Sequence, residues 1–133
     1  MSKTYHAQIL TPEGTLYEGD VTGVQVPGKS GTFLMLYDHA PIVSTLGVGQ
    51  IVIKKADESE TVYAVSGGFV EMNDNHLTLL AEKAEEASEI DIEEAKRLEA
   101  DAKERLKDVK NDRLKAEKDL EIAKNKIKTA AEK

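Results

Sequence analysis

The chain has 133 residues, with 18 Lys and Arg against 25 Asp and Glu, a formal charge of −7, and neither Cys nor Trp. That length allows one modest domain with an appendage, and the absence of cysteine excludes a disulfide scaffold, a thiolate zinc or iron–sulfur site and a cysteine nucleophile. The acidic balance argues against nucleic acid as a partner; no apolar run approaches the roughly 18 residues of a membrane span.

In chain order, the predicted elements begin as short strands. Residues 5–10, 16–18, 21–26, 32–36, 50–54, 61–66, 68–72 and 76–80 are each rich in β-branched, aromatic or aliphatic side chains. Turn chemistry separates them, as in Thr11-Pro12-Glu13-Gly14 and Met72-Asn73-Asp74-Asn75. So many strands in about 80 residues, with no helix between them, predict an antiparallel β-sandwich or flattened barrel.

Beyond the strands the composition changes. All nine Gly and all three Pro lie before Val70, whereas 88–133 has neither and consists almost wholly of good helix formers. The boundary falls within 84–89, dividing the chain into a β part, 1–86, and a helical part, 87–133. In the latter, Leu98, Ala102, Leu106 and Val109, then Ala116, Leu120, Ala123, Ile127 and Ala130, recur at steps of three and four. Each stretch has one narrow seam, which suits two closely packed helices. Asp91 is the expected N-cap of the first. A turn is expected at 108–112, with one continuous rod as the alternative. From Lys103 onward there are 11 basic and 7 acidic residues, net +4, so 1–102 carries −11. A basic tail on an acidic protein suits an acidic partner surface, or is an ordinary solvated helix.

Motifs for chemistry are sparse. Gly23-Val24-Gln25-Val26-Pro27-Gly28-Lys29-Ser30 satisfies the P-loop pattern letter for letter. Its interior reads as strand, however, and Gly31 runs into another strand where a P-loop requires a helix N-terminus; a β-turn at Pro27-Gly28 is expected instead. His6, His39 and His76 lack ligand spacing, so no metal site is expected. Asp38 and His39 are adjacent on an extended segment and point apart. Ser66-Gly67-Gly68 lacks the frame of a nucleophile elbow and reads as a bulge. No catalytic residue emerges. The N-terminus, Met1 to His6, has neither the apolar core of a signal peptide nor the look of a transit peptide.

Two blocks carry a resemblance. The run from Gly28 to Pro41, Gly-Lys-Ser-Gly-Thr-Phe-Leu-Met-Leu-Tyr-Asp-His-Ala-Pro, resembles the G-x-x-G-x-x-G-I-L-P-x-H-A-P segment of the epsilon subunits of F-type ATP synthases. Val65-Ser66-Gly67-Gly68-Phe69-Val70-Glu71-Met72 and Leu77-Thr78-Leu79-Leu80-Ala81-Glu82 are similar to that family's S-G-G-F-x-E-V and V-T-V-L-A-E. Thr11-Pro12-Glu13 and Tyr17-x-Gly19 agree in order. Leu34 stands where the family has Gly, and Tyr37 and Asp38 replace Pro and a small residue, which alters local loop shape.

The resemblance implies a β-sandwich of about ten strands followed by an antiparallel helical hairpin, in a noncatalytic central-stalk subunit. Its partners would be the gamma subunit, the c ring and the alpha/beta catalytic head, at the cytoplasmic face of a bacterial plasma membrane or at a thylakoid membrane, without membrane insertion. By position, Lys29, Ser30, Gly31 and Thr32 together with His39, Ala40 and Pro41 would meet the c ring or gamma. The hairpin would inhibit ATP hydrolysis when extended into the head, with Lys110, Arg113, Lys115 and Lys118 as contacts. Some members bind ATP through an Ile/Leu-Asp-x-x-Arg-Ala motif. Here Ile90, Asp91 and Ala95 match, but Glu94 stands in place of Arg, where a carboxylate repels phosphate, and no cofactor is assigned. A free-standing sandwich adaptor with a helical tail is the alternative.

Overall fold

A computed structural model describes residues 3–108 and 112–132. Among these, seven strands, a short 3-10 turn at Ala87–Glu89 and two α-helices follow in chain order. The strands are β1 (Tyr5–Thr11), β2 (Gly14–Gly28), β3 (Gly31–Leu36), β4 (Ile42–Lys55), β5 (Glu60–Asn73), β6 (His76–Ala81) and β7 (Ala84–Glu86); the helices are α1 (Ile92–Leu106) and α2 (Arg113–Ala130).

The architecture expected from the sequence is present, with fewer and longer strands. The order is β1-β6-β5-β4-β2-β3, and β1 also pairs with β2, so five strands close into a flattened barrel while β3 extends from β2 and β7 from β5. β1 and β6 run parallel, the exception to an otherwise antiparallel set. The strands read separately at 61–66 and 68–72 are one, β5, which pairs with β7 at 63–65 and with β6 at 68–73. Between these pairings lie Gly67 and Gly68, both at positive φ. A Cβ on Gly68 would come 2.1 Å from the Leu80 carbonyl oxygen, so only glycine lets β6 approach there. Likewise 16–18 and 21–26 merge in β2. Residues 42–49, outside the predicted elements, form the first half of β4, paired with β5.

Period two builds the core. Tyr5, Ala7 and Ile9 of β1, Val70 and Met72 of β5, and Leu77 and Leu79 of β6 point inward and are buried, alternating with outward neighbours. They meet Val21, Val24, Ile51 and Ile53 from β2 and β4. Each fully buried aliphatic side chain contributes about 1.5–3 kcal/mol, so this cluster, lying wholly within the strands, dominates stability.

The helices form the expected hairpin. Asp91 caps α1, its carboxylate accepting from the Glu94 N–H at 3.1 Å, and Asp112 caps α2 by accepting from Lys115 N–H at 3.2 Å. α1 ends at Leu106 and α2 begins at Arg113, so the continuous rod is not what forms. The middle of the 108–112 turn, with Val109 and Lys110, lies outside the described residues. Ala95 and Ala102 on α1 and Ala116, Ala123 and Ala130 on α2 are buried at seven-residue spacing, small enough to bring the helices close.

Candidate docking surfaces

Lys29, Ser30, Gly31 and Thr32 form the exposed tip of the β2–β3 hairpin, where Gly28 pairs with Gly31 and the Lys29 N–H donates to the Thr45 carbonyl at 3.1 Å. The P-loop letters, Gly23 to Ser30, therefore sit on the end of β2 and on a turn at Lys29-Ser30, not at Pro27-Gly28, and β3 follows where a P-loop needs a helix to receive a phosphate. His39, Ala40 and Pro41 lie in the β3–β4 connection. His39 Nδ1 is 2.8 Å from the Ala40 carbonyl oxygen. Asp38 is clasped by the β5–β6 turn: its N–H donates to Asn75 Oδ1 at 2.7 Å, and Asn75 Nδ2 donates to Asp38 Oδ1 at 3.0 Å. The structure does not bring these two groups together, because they flank opposite ends of β3, roughly 17 Å apart at strand rise.

A surface that the sequence reading passed over lies on the outward side of β4, β5, β6 and β1. Register sets Thr45 opposite Phe69, Phe69 opposite Leu80, and Leu80 opposite Leu10. Phe69 is 55% exposed, Leu80 51%, and Val43 in the adjoining row 70%. A shallow groove of about 350 Å³ runs beside them along Leu10, Pro12, Phe69 and Leu80. Outward apolar residues in adjoining rows make this face a candidate contact surface. The signal was present in β6, where Leu77, Leu79 and Leu80 put apolar groups on both faces.

At the far end of the same face, His6 and His76, distant in sequence, are register partners with ring centroids 6.2 Å apart. His6 Nε2 lies 3.0 Å from Glu18 Oε2 and Nδ1 3.8 Å from Asp20 Oδ1. Among the described residues no group of three or more such side chains is arranged to hold a metal. The face thus has an apolar end and a polar, histidine-bearing end.

On the hairpin, Arg113 is paired with Glu117 at 3.2 Å and donates to the Leu106 carbonyl, Lys115 pairs with Asp119 at 3.1 Å, and Lys118 is exposed. Lys110 lies outside the described residues. Between hairpin and sandwich is a cleft of about 540 Å³, whose charged lining balances Lys83, Arg105 and Lys126 against Glu13, Glu85 and Asp119. Arg105 spans to Asp119 at 2.8 Å and to Asp101 at 3.0 Å. The hydrogen bond from Arg105, with Lys115 adding to it, holds the Asp119 carboxyl below its ordinary range. Ile90, Asp91 and Ala95 do not line this cleft: Asp91 is the α1 cap, Ile90 packs on Ala64 and Ala130, and Ala95 is buried in the seam.

Comparison with known proteins adds to this geometry. Residues 4–87 match the family model described as ATP synthase, Delta/Epsilon chain, beta-sandwich domain. The ATP synthase epsilon chain of Priestia megaterium is 43% identical over 90 residues, covering 68% of this chain and 66% of the relative. That of Salinibacter ruber is 38% identical over 101 residues, covering 70% and 68%. The matched segments thus span about two thirds of the length of these curated relatives. Among solved structures, a chain of the Euglena gracilis mitochondrial ATP synthase, OSCP/F1/c-ring in rotational state 1, shares the fold with a TM-score of 0.84 at 21% identity, over 98% of this chain and 82% of that one. A chain of the Tetrahymena thermophila mitochondrial ATP synthase central stalk/c-ring aligns with a TM-score of 0.55 at 12% identity, over 67% and 71%.

Proposed function

The chain belongs to the ATP synthase delta/epsilon family, and from that premise we propose that it is a noncatalytic central-stalk subunit of an F-type proton-translocating ATP synthase. In this reading the sandwich, 1–86, joins gamma to the c ring and turns with them. The helical part, 87–133, is a regulatory arm that restrains ATP hydrolysis when it reaches the alpha/beta head. The working place is the membrane surface, on the cytoplasmic side in a bacterium; among the described residues no helix is long and apolar enough to cross a membrane.

The observation that carries this reading is the exposed apolar row Leu10–Leu80–Phe69 with Val43 beside it. A rotor subunit must grip one partner permanently while turning past others, and a firm grip needs apolar area that is covered in the assembly. We assign this row to gamma. The tip formed by Lys29, Ser30, Gly31 and Thr32, small and polar, suits a lighter contact with the c ring, and the segment of His39, Ala40 and Pro41 a second contact on the stalk. Arg113, Lys115 and Lys118 make the start of α2 basic, which suits an acidic surface on the head.

The test is capture of gamma by the full chain and by a Phe69→Lys/Leu80→Lys variant. Wild type is expected to co-purify with gamma and the variant to lose at least tenfold in affinity. Equal capture by both would remove the face from the account, and no capture by either would favour the free-standing adaptor.

A further inference from the structure

The hold of the hairpin on the sandwich is narrow. Its apolar part is Ala130 against Ala64 and Ile90, with Ile92 alongside. The rest is polar and concentrates on a defect in the barrel. Along β2 and β4, Gln25 opposes Val52 and Gly28 opposes Leu46, so residues 26–27 of β2 are set against 47–51 of β4. The ladder between those two strands is interrupted there. Pro27 lies in the gap against Gly49, where an added Cβ would come 2.5 Å from the Pro27 Cβ. Proline has no N–H with which to continue a ladder.

The donor comes from the hairpin instead. Asn125 Nδ2 donates to the Gly49 carbonyl at 2.7 Å. One turn further along α2, Thr129 is fully buried, and its Oγ1 accepts from Gln50 Nε2 at 3.0 Å. Asn125 and Thr129, four residues apart, share a helix face, as Gly49 and Gln50 share the defect. The Lys126–Glu85 pair nearby, at 3.7 Å and with both side chains about a third exposed, adds little.

We propose that this ladder gap is the latch of the regulatory hairpin: Asn125 and Thr129 close onto Gly49 and Gln50, and these two hydrogen bonds set the ratio of docked to released hairpin. The proposal rests on the reading of 87–133 as a regulatory arm. A latch of this kind is reversible, because on release the Gly49 carbonyl and the Gln50 amide exchange a protein partner for water. An apolar lock would resist release in proportion to its area, and the area here is that of a few alanines and isoleucines. The gap also adjoins the β2–β3 tip, since Lys29 bonds to Thr45 at the edge of the same corner.

The chain has no cysteine, so Ala56→Cys and Glu121→Cys, both at exposed positions, accept a unique pair of spin labels, whose distance distribution in the full chain counts docked and released hairpins. A urea series brings release into range in every variant. Thr129→Val, Gln50→Met and Asn125→Asp are each expected to lower the docked-to-released ratio roughly threefold to tenfold. Thr129→Val and Gln50→Met together are expected to do no more than either alone, because they remove one bond. Ratios within 1.5-fold of wild type in all three single variants would overturn the latch, as would full additivity of the pair together with an unchanged Asn125→Asp. Hydrolysis by the assembled synthase separates the two readings: variants that release the label pair but leave hydrolysis unchanged would keep the latch and refute the regulatory arm.

Discussion

Tyr5, at the start of β1, is nearly buried, and its hydroxyl donates to the Met35 carbonyl of β3 at 2.6 Å. Burial pushes the phenol well above its ordinary value, so it remains a donor at any pH the protein meets. Tyr5→Phe keeps the ring and leaves that carbonyl without its donor; a loss of about 1–2 kcal/mol in urea unfolding is expected. Phe69 is the opposite case. It stands outward between buried partners, and Phe69→Lys should change stability by no more than about 0.5 kcal/mol while weakening capture of gamma by roughly 2 kcal/mol, as loss of an aromatic anchor does. Equal loss of both would make Phe69 a core residue. Alternation in Gly68-Phe69-Val70-Glu71-Met72 is enough to set Phe69 on the outward face with Glu71, although Phe69 was not singled out from it. What it could not give was the neighbours: Leu80 and Leu10 join Phe69 only through the register of three strands. His6 and His76 escaped for the same reason, since pairing across a parallel ladder leaves no spacing signal along the chain.

Among the elements, β5 is one strand because two glycines let it change partners without ending. In the sequence the same pair reads as punctuation, which is why 61–66 and 68–72 seemed separate. Gly68→Ala would combine a positive φ with a Cβ 2.1 Å from backbone, and a loss of roughly 3 kcal/mol or more is expected in thermal or urea unfolding. The helices were legible in composition and period, and Asp91 as a cap; Asp112 was not singled out, because no Gly or Pro announces the break before it. Between the helices, Asp119 is held in its charged form by Arg105. Its folded-state value is lowered, so its contribution is complete at neutral pH, starts to fall near the ordinary carboxylate value of about 4, and is lost as pH drops through the lowered one. Contact between α1 and α2, followed by labels on the two helices, should therefore loosen below about pH 4 in the wild type. Asp119→Asn should start about 0.5 kcal/mol weaker at pH 7 and lack that acid step. An identical acid profile in both would show that other carboxylates set it.

For the molecule as a whole, composition drew the division that matters. Glycine and proline end before Val70, the main core cluster takes all its fully buried members from 5–81, and among the described residues the hairpin meets the sandwich through a small apolar cluster around Ala130, the hydrogen bonds at Gly49 and Gln50 and the Lys126–Glu85 pair. A chain ending at Ala87 should accordingly fold, with its core unfolding transition moved by only a few degrees. Charge divides elsewhere: 1–86 carries −7, while 87–133 balances 13 basic against 13 acidic residues, its first part acidic and its stretch from Lys103 onward net +4, so an arm that leaves the sandwich carries no net charge but a basic second half. The most direct measurement is ATP hydrolysis by a reconstituted alpha/beta head with gamma, given either the full chain or the chain ending at Ala87. Both are expected to bind gamma, and only the full chain to slow hydrolysis; equal hydrolysis with both would contradict the regulatory arm, and failure of both to bind gamma would contradict the central-stalk assignment itself.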